Sequence, residues 1–156
     1  MSHETTTTSP CEAHQLIGRM TVSELCDSVR RVLESGRLGT PVNVRLHWEF
    51  CESEASFPAI ATTAVAIADV ALQLQEPVWR VRRHSSGRTL NILGNDQRGR
   101  TLMISLVAKS APQTAMTIFG NHGIVRLEDG WVDPQSVPES LEDCQWAAAL
   151  KAAIAG

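Results

Sequence analysis

From Val42 to Phe50 the sequence alternates without a break. Val42, Val44, Leu46, Trp48 and Phe50 occupy every second position, and Asn43, Arg45, His47 and Glu49 lie between them. Successive side chains of a strand point to opposite faces, so the segment predicts a strand with one dry face and one wet or partnered face. A dry face has to be covered by other elements, which makes this strand the seed of a layered fold.

The flanking segments supply the cover. Thr21-Val22-Ser23-Glu24 has the pattern of a capping box, in which a threonine hydroxyl and a glutamate three residues on satisfy the free N–H groups of a helix start. Val22, Leu25, Val29, Val32 and Leu33 then recur at helical spacing, and Gly36 is suited to a left-handed C-terminal cap. Pro58 opens a second predicted helix running to about Gln75, with Ile60, Ala64, Ile67, Ala71 and Leu74 as its core stripe and Pro77 as its stop. A β-rich middle follows: strands at Val78–Ser85, Thr89–Leu93, Arg100–Ala108, Ala115–Phe119 and Gly123–Leu127, then an Asp129-Gly130 turn and a short piece at Trp131-Val132. Turns this short favour antiparallel neighbours. A capping signal at Ser136–Glu139 precedes a last helix, about Glu139 to Ile154. The fold class is α+β: an open, mostly antiparallel sheet with helices packed on one face. Residues 1–14, polar and threonine-rich, read as a disordered arm, and residues 15–156 as a single domain.

Composition narrows the functions. The chain has 156 residues, 43% of them apolar, enough for one buried core. Its formal net charge of -3 offers no global attraction to nucleic acid or to an acidic membrane. Seven aromatic residues, four Trp and three Phe, do not suggest a stacking platform for single strands. No apolar run is long enough to span a bilayer. The four cysteines, Cys11, Cys26, Cys51 and Cys144, show no metal or redox spacing and read as free thiols of a soluble, cytoplasmic protein. The five histidines are not spaced as metal ligands, and no nucleophile-elbow pattern occurs.

Two stretches carry a resemblance. Val29-Arg30-Arg31-Val32-Leu33-Glu34-Ser35-Gly36-Arg37-Leu38-Gly39-Thr40-Pro41-Val42-Asn43-Val44 and Thr117-Ile118-Phe119-Gly120-Asn121-His122-Gly123-Ile124-Val125-Arg126-Leu127-Glu128 resemble, in order and spacing, the C-terminal domain of the Gfo/Idh/MocA oxidoreductases. The resemblance spans roughly residues 21–133. It implies a fold normally preceded by a Rossmann domain that binds NAD(P) and supplies a catalytic lysine. The second domain would supply substrate contacts, a histidine acid/base and a sheet used for dimerisation. Two of these parts are missing. No G-x-G-x-x-G turn occurs between a strand and a helix, so no dinucleotide cofactor is expected on this chain alone. The family's H-x-x-D-like helix pattern, aligned on Asp69, places Ala66 at the histidine and Thr62 at the earlier carboxylate. Alanine cannot move a proton, and no histidine lies between Phe57 and Arg83.

The candidate ligand or interface residues are Arg45, His47, Asp69, Arg80, Arg82 and His84. Alternation puts Arg80, Arg82 and His84 on one face of a basic strand, which suits a carboxylate, a phosphate or a partner's acidic patch. The plainer reading is a solvated face with cross-strand pairs, such as Arg45 or Arg82 with Glu49. Asp69 reads as a remnant acid, or as a residue on the helix edge or paired with an arginine. Three functions follow. The first is a non-catalytic assembly module, a homodimer or partner-binding domain working through its sheet face. The second is the substrate-binding half of a split NAD(P)-dependent sugar or polyol oxidoreductase, with a separate Rossmann-type subunit. The third is a sensor of sugar-like molecules. No metal, nucleic-acid or membrane partner is expected.

Overall fold

The structure, a computed structural model, describes residues 19–51, 56–109, 111–133, 136 and 146–156. In chain order these form β1 (Arg19–Met20), α1 (Val22–Glu34), β2 (Pro41–Phe50), α2 (Phe57–Leu72), β3 (Val78–Arg83), β4 (Thr89–Asn95), β5 (Thr101–Ala108), β6 (Gln113–Gly120), β7 (Ile124–Val132) and α3 (Ala147–Ala155). The predicted arm, residues 1–14, and the start of the last predicted helix lie outside the described residues.

The alternating strand is the centre of the sheet. The seven strands run in the order β1-β7-β6-β2-β5-β4-β3. β2 is parallel to β5 and antiparallel to β6. The pairs β3–β4, β4–β5 and β6–β7 are antiparallel, as their short turns require, and β1 runs parallel to β7. The step from β5 to β6 passes over the end of β2, where the Lys109 N–H donates to the Phe50 carbonyl at 2.9 Å. Only spatial packing reveals that insertion.

Val44, Leu46, Trp48 and Phe50 are buried together with Leu102, Ile104 and Leu106 of β5 and Met116 and Ile118 of β6. α2 lies over β2 and β5, α1 packs on α2 and reaches β7, and α3 covers β3. Helices thus cover one face, as the pattern predicted. Val42 departs from it: it is 41% exposed because the β2–β6 register shifts between Pro41 and Asn43. An irregularity there re-aims a side chain without breaking the strand.

α1 starts where predicted, with the Thr21 hydroxyl accepting from the Glu24 N–H at 3.1 Å. Gly36 is left-handed, φ 73°. α2 ends at Leu72, before the expected Gln75, because Gln73 turns left-handed at φ 49°. Its predicted stripe is also too narrow: Thr63 to Ala68 are buried in succession, so α2 is enclosed on nearly every side. The Asp129-Gly130 turn does not form, since both residues lie inside β7. Of the predicted capping signal at Ser136–Glu139 only Ser136 lies within the described residues. Its hydroxyl accepts from the Val22 N–H at 2.9 Å and donates to the Asp133 carbonyl at 2.7 Å.

The cysteines correct another expectation. Cys26 is free and buried, and burial pushes its thiol pKa up. Cys51 is also buried but is disulfide-bonded, so the four cysteines are not all free thiols. A disulfide requires no fixed spacing along the chain, so the sequence carries no signature of it. Among the described residues no helix is long and apolar enough to cross a membrane.

Candidate functional site

The sheet face away from the helices has no described element over it, and most of the candidate side chains share it. Cross-strand register aligns Arg126, Thr117, Arg45, Met103, Leu93 and Arg80 in one row from β7 to β3. The adjacent row runs Ala115, His47, Ser105, Asn91 and Arg82. Strand alternation therefore gathers four candidates, Arg45, His47, Arg80 and Arg82, on one surface.

Their chemistry differs along the face. The Arg45 guanidinium lies 5.2 Å from the centroid of the Phe119 ring, a cation–π contact that holds an exposed cation over an apolar plate. His47 Nε2 is 3.1 Å from Glu49 Oε1, and Lys109 Nζ is 3.0 Å from the same oxygen. Glu49 is thus already engaged, and the expected pairing of Arg45 or Arg82 with Glu49 does not occur. Burial alone would raise the Glu49 pKa, but the hydrogen bonds from His47 and Lys109 outweigh it and hold the carboxyl below its ordinary value. Arg126 pairs with Glu128 at 2.8 Å. Arg45, His47, Met103, Ser105, Thr117 and Arg126 line a shallow groove of about 240 Å³. Ile124 at 65%, Val78 at 66% and Met103 at 47% exposure give the face its apolar component. The contributions of Phe119, Ile124 and Arg126 were legible in the alternation of their strands, but only the β6–β2 pairing brings them beside Arg45.

Asp69 and His84 stand apart. Asp69 sits near the end of α2, in the helical layer, and its Oδ1 accepts from the Leu74 N–H at 2.8 Å while its carbonyl accepts from Gln73 at the same distance. It closes its own helix and pairs with no arginine. Ala66, one turn earlier, is 2% exposed, and the Thr62 hydroxyl donates to the Pro58 carbonyl at 3.0 Å. His84 lies in the β3–β4 turn, its Nδ1 accepting from the Ser86 N–H at 3.2 Å.

Sequence reading missed Asp96, which organises the end of α2. Oδ1 accepts from the N–H groups of Arg98 at 2.9 Å and Arg100 at 3.0 Å, and Oδ2 accepts from Gln75 N–H at 3.2 Å. Burial raises its pKa, but these backbone bonds and the Arg98 charge prevail and lower it. The Arg100 and Arg98 side chains donate to the carbonyls of Leu72 and Gln73, supplying positive charge at the helix C-terminus. The only signal was an Asn-Asp turn, which reads as ordinary punctuation.

The two stretches that carry the family resemblance meet in space. Asn121 N–H donates to the Thr40 carbonyl at 3.1 Å, His122 N–H to the Leu38 carbonyl at 3.0 Å, and Thr40 N–H to Asn121 Oδ1 at 2.7 Å. A Cβ on Gly120 would stand 2.0 Å from the Leu38 carbonyl oxygen, so only glycine fits there.

No family model matches the chain, and no curated protein matches it. Solved structures do. A scyllo-inositol dehydrogenase from Lactobacillus casei matches with a TM-score of 0.56 at 9% identity, over 84% of this chain and 50% of its own. An oxidoreductase from Agrobacterium radiobacter, solved with NAD+, L-tartaric acid and magnesium, matches at 0.52 and 21% identity, over 84% and 48%. An oxidoreductase from Sinorhizobium meliloti matches at 0.51 and 14% identity, over 67% and 34%. This chain therefore spans a third to a half of the length of these structures. The fold is that of the C-terminal domain of Gfo/Idh/MocA-type oxidoreductases, as the two motifs implied.

Proposed function

We propose that this domain is a non-catalytic assembly module that joins two copies of the chain through the open sheet face. The observation that carries the reading is this face, over which no described element lies and on which Met103 and Leu93 stand between Arg45 and Arg80. A second sheet laid across it would cover Met103 and Leu93, with Arg45 and Phe119 in the middle of the contact and Ile124 and Val78 toward its margins. The helical layer supports the same reading from the other side. At the position of the family's histidine stands a buried Ala66, and the one carboxylate in register, Asp69, is spent on closing α2. A proton shuttle needs a titratable group free to face a substrate, and neither residue is one.

The test is the mass in solution by size-exclusion chromatography with light scattering. A dimer is expected for the native chain, and Met103→Glu should shift it to monomer with an unchanged circular dichroism spectrum. A strict monomer at high concentration sinks the proposal. So does purified protein that, free of any companion subunit, retains NADH or NADPH and turns over a polyol.

A second reading, the substrate-binding half of a split NAD(P)-dependent oxidoreductase, is favoured by one fact: the solved structures that share this fold carry it as only a third to a half of their own length. It predicts dehydrogenase activity that appears only when a nucleotide-binding subunit is mixed in.

A further inference from the structure

Among the described residues the outer edge of β3 combines unpaired backbone groups with charge that no carboxylate neutralises, and this edge borders the face assigned above. β3 pairs only with β4 among the described residues. The His84 N–H donates to the Thr89 carbonyl at 2.9 Å, which fixes the phase of the ladder. In an antiparallel pair, residues alternate between bonding the neighbour and facing away. With the register continuous from Val78↔Asn95 to Arg83↔Leu90, Val78, Arg80 and Arg82 bond β4, while the N–H and C=O groups of Trp79, Val81 and Arg83 point outward.

Charge is concentrated along the same edge. Arg80, Arg82, Arg83 and Arg88 are all exposed, and among the described residues none forms an ion pair with a carboxylate. By contrast Arg19, Arg30, Arg98, Lys109 and Arg126 each have one. In a chain of net charge -3 this is a segregated basic strip. The strip opposes pairing with a second copy, because two such edges would bring arginine against arginine. It attracts a strand of the opposite sign.

The two sides of the edge differ. Arg80 and Arg82 flank it on the open face. On the helix side lies a groove of about 350 Å³ at the end of α3, lined by Val81, Leu90, Arg83 and the stretch from Ala153 to Gly156. A strand added to β3 would place alternate side chains on these two sides.

We infer that the β3 edge accepts an extended protein segment in which acidic and apolar residues alternate. Backbone bonds to Trp79, Val81 and Arg83 give it hold. Carboxylates meet Arg80 and Arg82, and apolar side chains enter the groove beside Val81 and Ile154.

The probe is a fluorescein-labelled peptide of four Glu-Val repeats, titrated with the full chain by fluorescence anisotropy. Saturable binding is expected, weakened about tenfold or more by the surface variant Arg80→Glu/Arg82→Glu. A Lys-Val repeat and oligothymidylate should not bind. Bound peptide should slow hydrogen exchange of the Trp79, Val81 and Arg83 amides. Val81→Pro removes an outward N–H without touching the ladder to β4, and should abolish binding while the β4 amides stay protected. The inference is overturned by no saturable binding, by equal affinity for the Lys-Val peptide or oligothymidylate, by full affinity in Arg80→Glu/Arg82→Glu, or by unchanged exchange at those three amides.

Discussion

The two faces of this sheet are made by the same strands, yet they obey different rules. On β2, Leu46 is 2% exposed and fixed by neighbours from α2, β5 and β6, while Arg45 beside it is exposed and held by a single ring contact. The covered face is specified by volume and shape. The open face is specified by charge and by what stands opposite across strands. Stability therefore resides on one side, and recognition chemistry has freedom to reside on the other. Substitutions one residue apart should have effects of different size and kind.

The largest effect is expected at Trp48, fully buried on the covered face. Trp48→Ala should cost about 3–5 kcal/mol of unfolding free energy, read by urea denaturation. Trp48→Phe sharpens the point. Among the described residues the buried Trp48 Nε1 has no hydrogen-bond partner, so phenylalanine loses area but also removes an unsatisfied donor. Its cost should be well below that of alanine. Equal costs would mean that a phenyl ring recovers none of the packing that the indole makes there.

Gly120 comes next. It belongs to neither face but to the contact between β6 and the loop before β2. Gly120→Ala sets a methyl group 2.0 Å from the Leu38 carbonyl oxygen, and backbone cannot swing aside as a flexible side chain would. A loss of about 3 kcal/mol is expected. Gly36→Ala, with open space around its Cβ position, pays only for its left-handed backbone and should cost about 1 kcal/mol. If the two cost the same, the Leu38 contact is not what demands glycine.

How much of this was readable beforehand follows the same division. The covered face was legible because burial imposes periodicity: β2, α1 and the succession of strands along the chain followed from it. Sheet order was not, since nothing local says that β2 lies between β5 and β6. Val42 was misassigned because a register shift breaks alternation without changing composition. On the open face the sequence gathered Arg45, His47, Arg80 and Arg82 by strand phase. It could not tell that Glu49 is taken by His47 and Lys109, because pairing across strands depends on register. Asp69 and Asp96 were obscure for a related reason. Each carboxylate serves backbone N–H groups, and such partners leave no residue type to recognise.

Asp96 and Glu49 test the contrast by pH. Both carboxyls are held below their ordinary values, so the native chain releases these protons more readily than the unfolded chain. The stability they contribute is complete above the ordinary carboxylate range, about pH 4 to 5, and is lost as pH falls through the lowered values. Asp96→Asn leaves one oxygen for three N–H donors and should cost about 2 kcal/mol at neutral pH, with a flatter acid limb in a series of thermal melts. Glu49→Gln faces an exposed lysine on the open side and should cost less than about 1 kcal/mol, with a smaller change in that limb. A larger acid effect from Glu49 than from Asp96 would reverse the assignment of stability between the two regions.

Arg45→Ala should have the smallest effect on stability and the clearest effect on association. Its guanidinium is exposed and its one described contact, the Phe119 ring at 5.2 Å, is of a kind worth about 0.5–1 kcal/mol in water. Thermal unfolding of the monomeric Met103→Glu background should therefore shift by no more than a few degrees when Arg45→Ala is added. In the native background the same change uncovers Phe119 and removes a cation from the middle of the sheet. If two copies meet there, the dimer dissociation constant rises while the monomer fold is untouched. Loss of stability without loss of association would place Arg45 with the covered face's kind of residue, and the division drawn between the two sides of the sheet would fail at its centre.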